Sequence, residues 1–239
     1  MPLSNQFPTT TWTLVLSAGA EQDARSTEAL AVLCETYWYP LYAYIRRRGY
    51  TVDQAQDLIQ EFFTRVLEKR YIDRADRNKG RFRAFLLTAL KYFLFDEMDR
   101  RQSLKRNRGL PALPFEVRKG EESYRLEPFH EETPERIFER RWALALLDRV
   151  MSRLRKDAAR EDASGPFDSL KHYLLSQGQV PYAQLAGEFH TTEGALRVAV
   201  HRLRRRYRAI LREEIASTVT GESEVDAEIQ YLAAILAAK

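Results

Sequence analysis

The sequence predicts an all-α fold: two helical domains joined by a flexible linker, the second containing a helix-turn-helix. Three observations carry this reading. Apolar residues recur at helical spacing along most of the chain, and no stretch shows the alternation of a half-buried strand. Pro111, Pro114, Pro128 and Pro134 crowd residues 109–134, where helical periodicity lapses. Two basic blocks lie on either side of that stretch, one in each predicted domain.

Each element has a local reason. Residues 26–48 read as one helix, capped by Ser26 or Thr27 and stopped by Gly49. Its aromatic group Tyr37, Trp38, Tyr39, Tyr42 and Tyr44 surrounds Pro40, which is expected to kink it. Thr51 is the N-cap of a helix running to about Lys69, with Ala55, Leu58, Ile59, Phe62 and Val66 as its buried stripe. A third helix spans 81–105. Four more follow at 135–156, 167–176, 182–189 and 193–215, and the tail 225–236 is a candidate for another. The predicted organisation is an N-terminal extension (1–24), a first domain (25–108), a linker (109–134), a helix-turn-helix domain (135–218) and an acidic tail (219–239).

Composition excludes several classes. The chain has 239 residues, 30% of them charged and 44% hydrophobic, an ordinary globular balance. No apolar run approaches the roughly 18–20 residues of a membrane helix. The short apolar stretch 14–20 has no basic residue before it, so no secretory signal is expected. One cysteine, Cys34, rules out an intramolecular disulfide and a Cys-rich zinc site, and reads as a core thiol. The expected location is cytoplasmic, with no membrane partner.

The net charge is only +4, but it is unevenly spread. Residues 100–108 hold five bases and no acid, and residues 197–212 hold seven arginines, His201 and no acid. Residues 121–135 hold six glutamates against one arginine, and residues 221–239 four acids against Lys239. Clustered basic charge is the footprint of a polyanion partner; the plainer alternative is a pair of solvated helix faces.

Residues 182–203 are the most specific local pattern. A short helix with Leu185, Ala186 and Phe189 is followed by His190, Thr191 and Thr192, then by a longer helix. His190 holds the turn position where such motifs usually have glycine, and Thr192 is a natural N-cap. Leu196, Val200, Leu203, Tyr207 and Leu211 should face inward, and Glu193, Arg197, His201, Arg204, Arg205 and Arg208 outward. The helix would be about 34 Å long. Its first turns fit a major groove and its later arginines the phosphates.

The order of these elements resembles the small bacterial sigma factors of the extracytoplasmic-function (ECF) type, in a divergent subgroup with terminal extensions. Ala55-Gln56-Asp57-Leu58-Ile59-Gln60-Glu61 is similar to that family's AEDLVQE-like helix, which binds RNA polymerase core. Phe85, Leu86 and Asp96 fall where the family has its WL…D helix. Thr192-Glu193-Gly194-Ala195-Leu196-Arg197 resembles its PEGTVKSR-like start of the recognition helix. Three departures stand out. Phe85 replaces the usual Trp, Tyr92 the usual Asn, and Val198 with Ala199 the usual polar pair.

The resemblance implies a polymerase specificity subunit with RNA polymerase core and promoter DNA as partners. Asp53, Gln56, Asp57, Gln60 and Glu61 would face the polymerase. Lys79, Arg81, Arg83 and Lys91 would hold the separated strand at the -10 element by its phosphates. Phe82 and Tyr92 would stack on its bases, with Phe82 as a core aromatic the plainer alternative. Arg100, Arg101 and Lys105 would contact the duplex upstream. Thr191, Thr192, Glu193, Arg197, His201, Arg202, Arg204 and Arg205 would read the -35 element. An anti-sigma factor or other regulator, the tail, or phosphorylation are the candidate switches.

No catalytic constellation holds together. His130, His172, His190 and His201 lack metal spacing, and no Gly-rich phosphate loop is present. No enzyme activity, metal or cofactor is expected. The rival reading is a helix-turn-helix regulator acting on duplex DNA without polymerase. The tail has two candidate roles. One is folding back onto the arginine-rich helix; the other is packing on the second domain through Ile229, Leu232 and Ile235.

Overall fold

The computed structural model describes residues 24–67, 81–103, 124, 132–160, 164–174, 181–219 and 221–237. Among these it contains eight α-helices, two short 3-10 turns and no strand, so the fold is all-α. The helices are α1 (Ala24–Arg47), α2 (Val52–Leu67), α3 (Phe82–Ser103), α4 (Pro134–Arg160), α5 (Ser164–Leu170), α6 (Tyr182–Glu188), α7 (Glu193–Ala216) and α8 (Val225–Ala237). Residues 1–23 of the N-terminal extension, and the linker apart from Tyr124 and residues 132–134, lie outside the described residues.

Local chemistry sets the boundaries. α1 runs through Pro40 as one helix and ends where Gly49 takes a φ of 92°, a conformation glycine adopts without strain. Thr51 then starts α2 with a reciprocal cap: the Gln54 N–H donates to Thr51 Oγ1, and the Thr51 N–H donates to Gln54 Oε1. The expected stripe of Ala55, Leu58, Ile59, Phe62 and Val66 is buried throughout.

The described residues divide into two compact units, one within Met1–Ala145 and Ala216–Lys239, the other Leu146–Ile215. These bounds differ from the sequence reading, which gave all of α4 to the second domain and left the tail on its own. The first turns of α4 bury Ile137, Phe138 and Trp142, and Glu139 pairs with Arg83 of α3 at 2.7 Å. Those contacts bind the start of α4 into the first unit.

The tail belongs to the first unit as well. Val225, Glu228 and Leu232 form the buried stripe of α8, and the Phe82 N–H donates to the Thr218 carbonyl at 3.2 Å. Arg83 pairs with Glu228, and Arg81 Nε lies 2.9 Å from Glu228 Oε2. The acidic tail therefore meets arginines at the start of α3. The sequence had offered the arginine-rich helix or the second domain as its partner; the ion pairs of Glu228 are instead with Arg81 and Arg83.

Around this the first unit stacks aromatic rings. Tyr37 meets Phe82 edge-on at 5.4 Å, Trp38 stacks on Tyr42 at 5.3 Å, and Phe62 lies 5.6 Å from Phe93. The second unit has two apolar clusters. One gathers Leu170, Tyr173, Leu185, Ala186, Leu196 and Val200; the other Val150, Leu154, Phe167, Tyr207 and Ile210.

Candidate nucleic-acid interface

The turn between α6 and α7 is built from backbone hydrogen bonds and one side chain. The Thr191 N–H donates to the Ala186 carbonyl at 2.9 Å, and the Phe189 N–H to the Leu185 carbonyl at 2.9 Å. His190 has a φ of 50°, the left-handed conformation expected at that position. Thr192 caps α7, its Oγ1 accepting from the Ala195 N–H at 3.1 Å. Glu193 adds a carboxylate to the first turn, where it favours the helix dipole.

Packing then fixes which side of α7 is free. Leu196, Val200 and Tyr207 are buried, and Leu203 and Leu211 are half-buried against the two clusters. Ala186 is small enough to sit in the first cluster beside Leu196 and Val200, and the Tyr173 and Tyr182 rings stack at 4.8 Å. Opposite that face, Thr191, Thr192, Glu193, Arg197, His201, Arg202, Arg205 and Arg208 are exposed.

The arginines are not equivalent. Arg202, Arg205 and Arg208 make no ion pair with any described residue. Arg197 lies 3.5 Å from Glu193 and its guanidinium sits 5.5 Å over the Tyr182 ring, so it is loosely held. Arg204 departs from the expected reading set. It is half-buried and donates through Nε to the Tyr173 carbonyl at 2.9 Å, tying α7 to the turn before α6. Arg206 pairs with Asp157 at 2.5 Å. Among the described residues the cationic face without ion pairs is therefore Arg202, Arg205 and Arg208 with His201.

In the first unit the structure separates the residues expected at the -10 element. Phe82 is fully buried between Tyr37 and Phe85, so as folded it cannot stack on a base. Arg83 is 3% exposed, pairs with Glu139 and Glu228, and lies between the rings of Trp142 at 4.5 Å and Tyr231 at 4.6 Å. A guanidinium held in this way cannot reach a phosphate. Arg81 is half-buried beside Glu228.

Lys91 stays exposed and pairs with Glu135 at 2.8 Å, and that hydrogen bond holds the Glu135 carboxyl below its ordinary range. Tyr92 is 67% exposed. Lys79 and Lys105 lie outside the described residues. Arg100 and Arg101 continue the backbone of α3, but their side chains lie outside the described residues.

Phe95 and Met98 were missed by the sequence reading. With Tyr92 they form an exposed apolar line at i, i+3 and i+6 on α3. The available signal was that α3 is apolar on more than one side, so its core face could not take every large residue.

On α2, Asp53 and Asp57 are exposed and make no ion pair with any described residue, while Gln56, Gln60 and Glu61 are half-buried. Glu61 pairs with Arg65, which also reaches Glu97 on α3 at 2.5 Å and lies 4.8 Å over the Phe93 ring. Glu61 therefore takes part in holding α2 to α3, and Asp53 with Asp57 form the freer acidic edge.

Among the described residues no group of His, Cys, Asp or Glu is placed to hold a metal ion, and no helix is long and apolar enough to cross a membrane. Compared with family models, curated proteins and solved structures, the chain matches none.

Proposed function

We propose that this chain is a cytoplasmic transcription initiation factor of the sigma type, which binds RNA polymerase core through α2 and reads promoter duplex through α7. The observation that carries the reading is the face of α7. A capped helix after a tight turn presents His201, Arg202, Arg205 and Arg208 to solvent, while its other face is packed away. Guanidinium groups suit both guanine edges and phosphate oxygens. The acidic edge Asp53 and Asp57 supports a second, basic protein surface as partner. Under this reading the strand-capturing surface narrows to Tyr92 and Phe95, with Lys91 beside them.

The test is co-elution with bacterial RNA polymerase core of the full chain and of an Asp53→Arg, Asp57→Arg variant. That pair leaves the Glu61–Arg65–Glu97 contacts intact. Co-elution of the native chain and loss in the variant is the expected result.

The second reading, a DNA-binding regulator that works without polymerase, is favoured by the burial of Phe82 and Arg83. It would be established by a chain that retards duplex DNA alone and ignores core.

A further inference from the structure

The outer face of α7 is not uniformly basic. At about 100° per residue, Gly194, Val198, His201 and Arg205 fall along the middle of the exposed arc. Arg197 and Arg208 border it on one side and Arg202 on the other. Val198 is 50% exposed, and among the described residues of the second unit it is the sole exposed large hydrophobic side chain. Gly194 and Ala195, one turn earlier, are also exposed and carry almost no side chain, so the first turn of α7 does not keep a partner away from Val198.

Over the first two turns this line is apolar, at Gly194 and Val198, with Arg197 and Arg202 at its borders, and that stretch matches the cross-section of a major groove. The groove floor carries base edges and its walls carry phosphates. A valine offers no hydrogen bond, so it cannot read a donor or an acceptor. The one apolar group on that floor is the thymine 5-methyl.

The geometry points to Val198 as a specificity-determining residue that packs against a thymine methyl, selecting an A·T pair at one position of the duplex site. This rests on the DNA-reading role of α7 and adds the base it would choose there.

The experiment uses the full chain, alone and with polymerase core added. Binding sites are first selected from a random duplex library. Each thymine in the selected site is then replaced, one at a time, by deoxyuridine, which removes only the methyl. The expected result is an affinity loss of about fourfold at a single position, the size of one buried methyl group. A Val198→Ser variant should bind the thymine and deoxyuridine duplexes equally.

A native chain that binds selected duplex but shows no methyl effect at any position overturns the proposal. So does a Val198→Ser variant that keeps the full methyl effect. Absence of duplex binding both with and without core overturns the DNA reading of α7 itself, and the role of Val198 with it. Val198→Ser is made on an exposed position, and an unchanged helical circular-dichroism signal separates lost recognition from lost folding.

Discussion

Each unit sets one carboxylate between two arginines, and the two units treat the arrangement differently. In the first, Glu228 is completely buried, and its partner Arg83 is 4% exposed between two aromatic rings. In the second, Glu214 is 7% exposed, but Arg149 and Arg153 are 35% and 37% exposed. Burial works against the Arg153 cation, yet hydrogen bonds to Glu214 and Glu213 outweigh it and raise its pKa further. The chemistry is the same on paper. The difference is whether a guanidinium can return to water when its carboxylate is removed.

That difference sets the order of expected effects. Glu228→Ala leaves the buried Arg83 with Glu139 as its remaining described ion-pair partner and should cost about 3 kcal/mol, the lower end of the range for breaking a buried pair. Hydrogen exchange should show the loss in the amides of α3 and α8. A combined Glu228→Leu, Arg83→Met variant should recover part of it, because the buried cation is gone and the Glu139 carboxylate, 19% exposed, can turn to water. If Glu228→Ala leaves exchange in α3 unchanged, the buried cluster is not what holds the tail.

Glu214→Ala should cost less, near the lower end of about 1.5–3 kcal/mol, since Arg149 and Arg153 can rehydrate. Its effect should appear in α7 rather than α3. A loss equal to that of Glu228→Ala would erase the comparison.

A third expectation concerns pH. Burial raises the Tyr207 phenol above its ordinary value of 10.0. The folded second unit therefore keeps a proton that the unfolded chain releases. Its stability should be intact below about pH 10 and fall as pH climbs through the raised value. Denaturant midpoints read from α7 amides across that range should show the decline, and Tyr207→Phe should lessen it, the rest coming from Tyr173, which burial also raises. The smallest effect is expected at Val198→Ser, within about 0.5 kcal/mol of the parent, because the residue is half-exposed.

Several helix ends were legible because they carry local chemistry; the start of α1 was not, since it lies at Ala24, ahead of the expected caps Ser26 and Thr27. Thr51 with Gln54, Gly49, His190 and Thr192 each announce a boundary within a few residues, and each does so in the structure. The inward face of α7 was equally readable from its spacing. The partnership of Arg83 with Glu228 was not. It joins residues 145 apart, and two charges in a sequence give no sign of which distant charge they will meet.

Phe82 stayed open between base stacking and core packing for a related reason. α3 has large apolar residues around much of its circumference, so periodicity does not say which ones are inside. The structure buries Phe82 and exposes Tyr92, Phe95 and Met98. Arg204 was placed outward by the helical wheel, but its long side chain bends back to the Tyr173 carbonyl, a reach that a wheel does not represent.

The discontinuous make-up of the first unit has a consequence for how the protein is made. Chains emerge from the ribosome N-terminus first and fold as units. Residues 146–215 are contiguous, so the second unit has all its parts as soon as Ile215 is out. The first unit begins earlier but waits for Glu228 to arrive between Arg81 and Arg83. Order of synthesis and order of completion are thus reversed. A chain truncated between residues 216 and 227 would hold a complete second unit and an incomplete first unit. A protease that removes the tail would return a mature molecule to that half-made state.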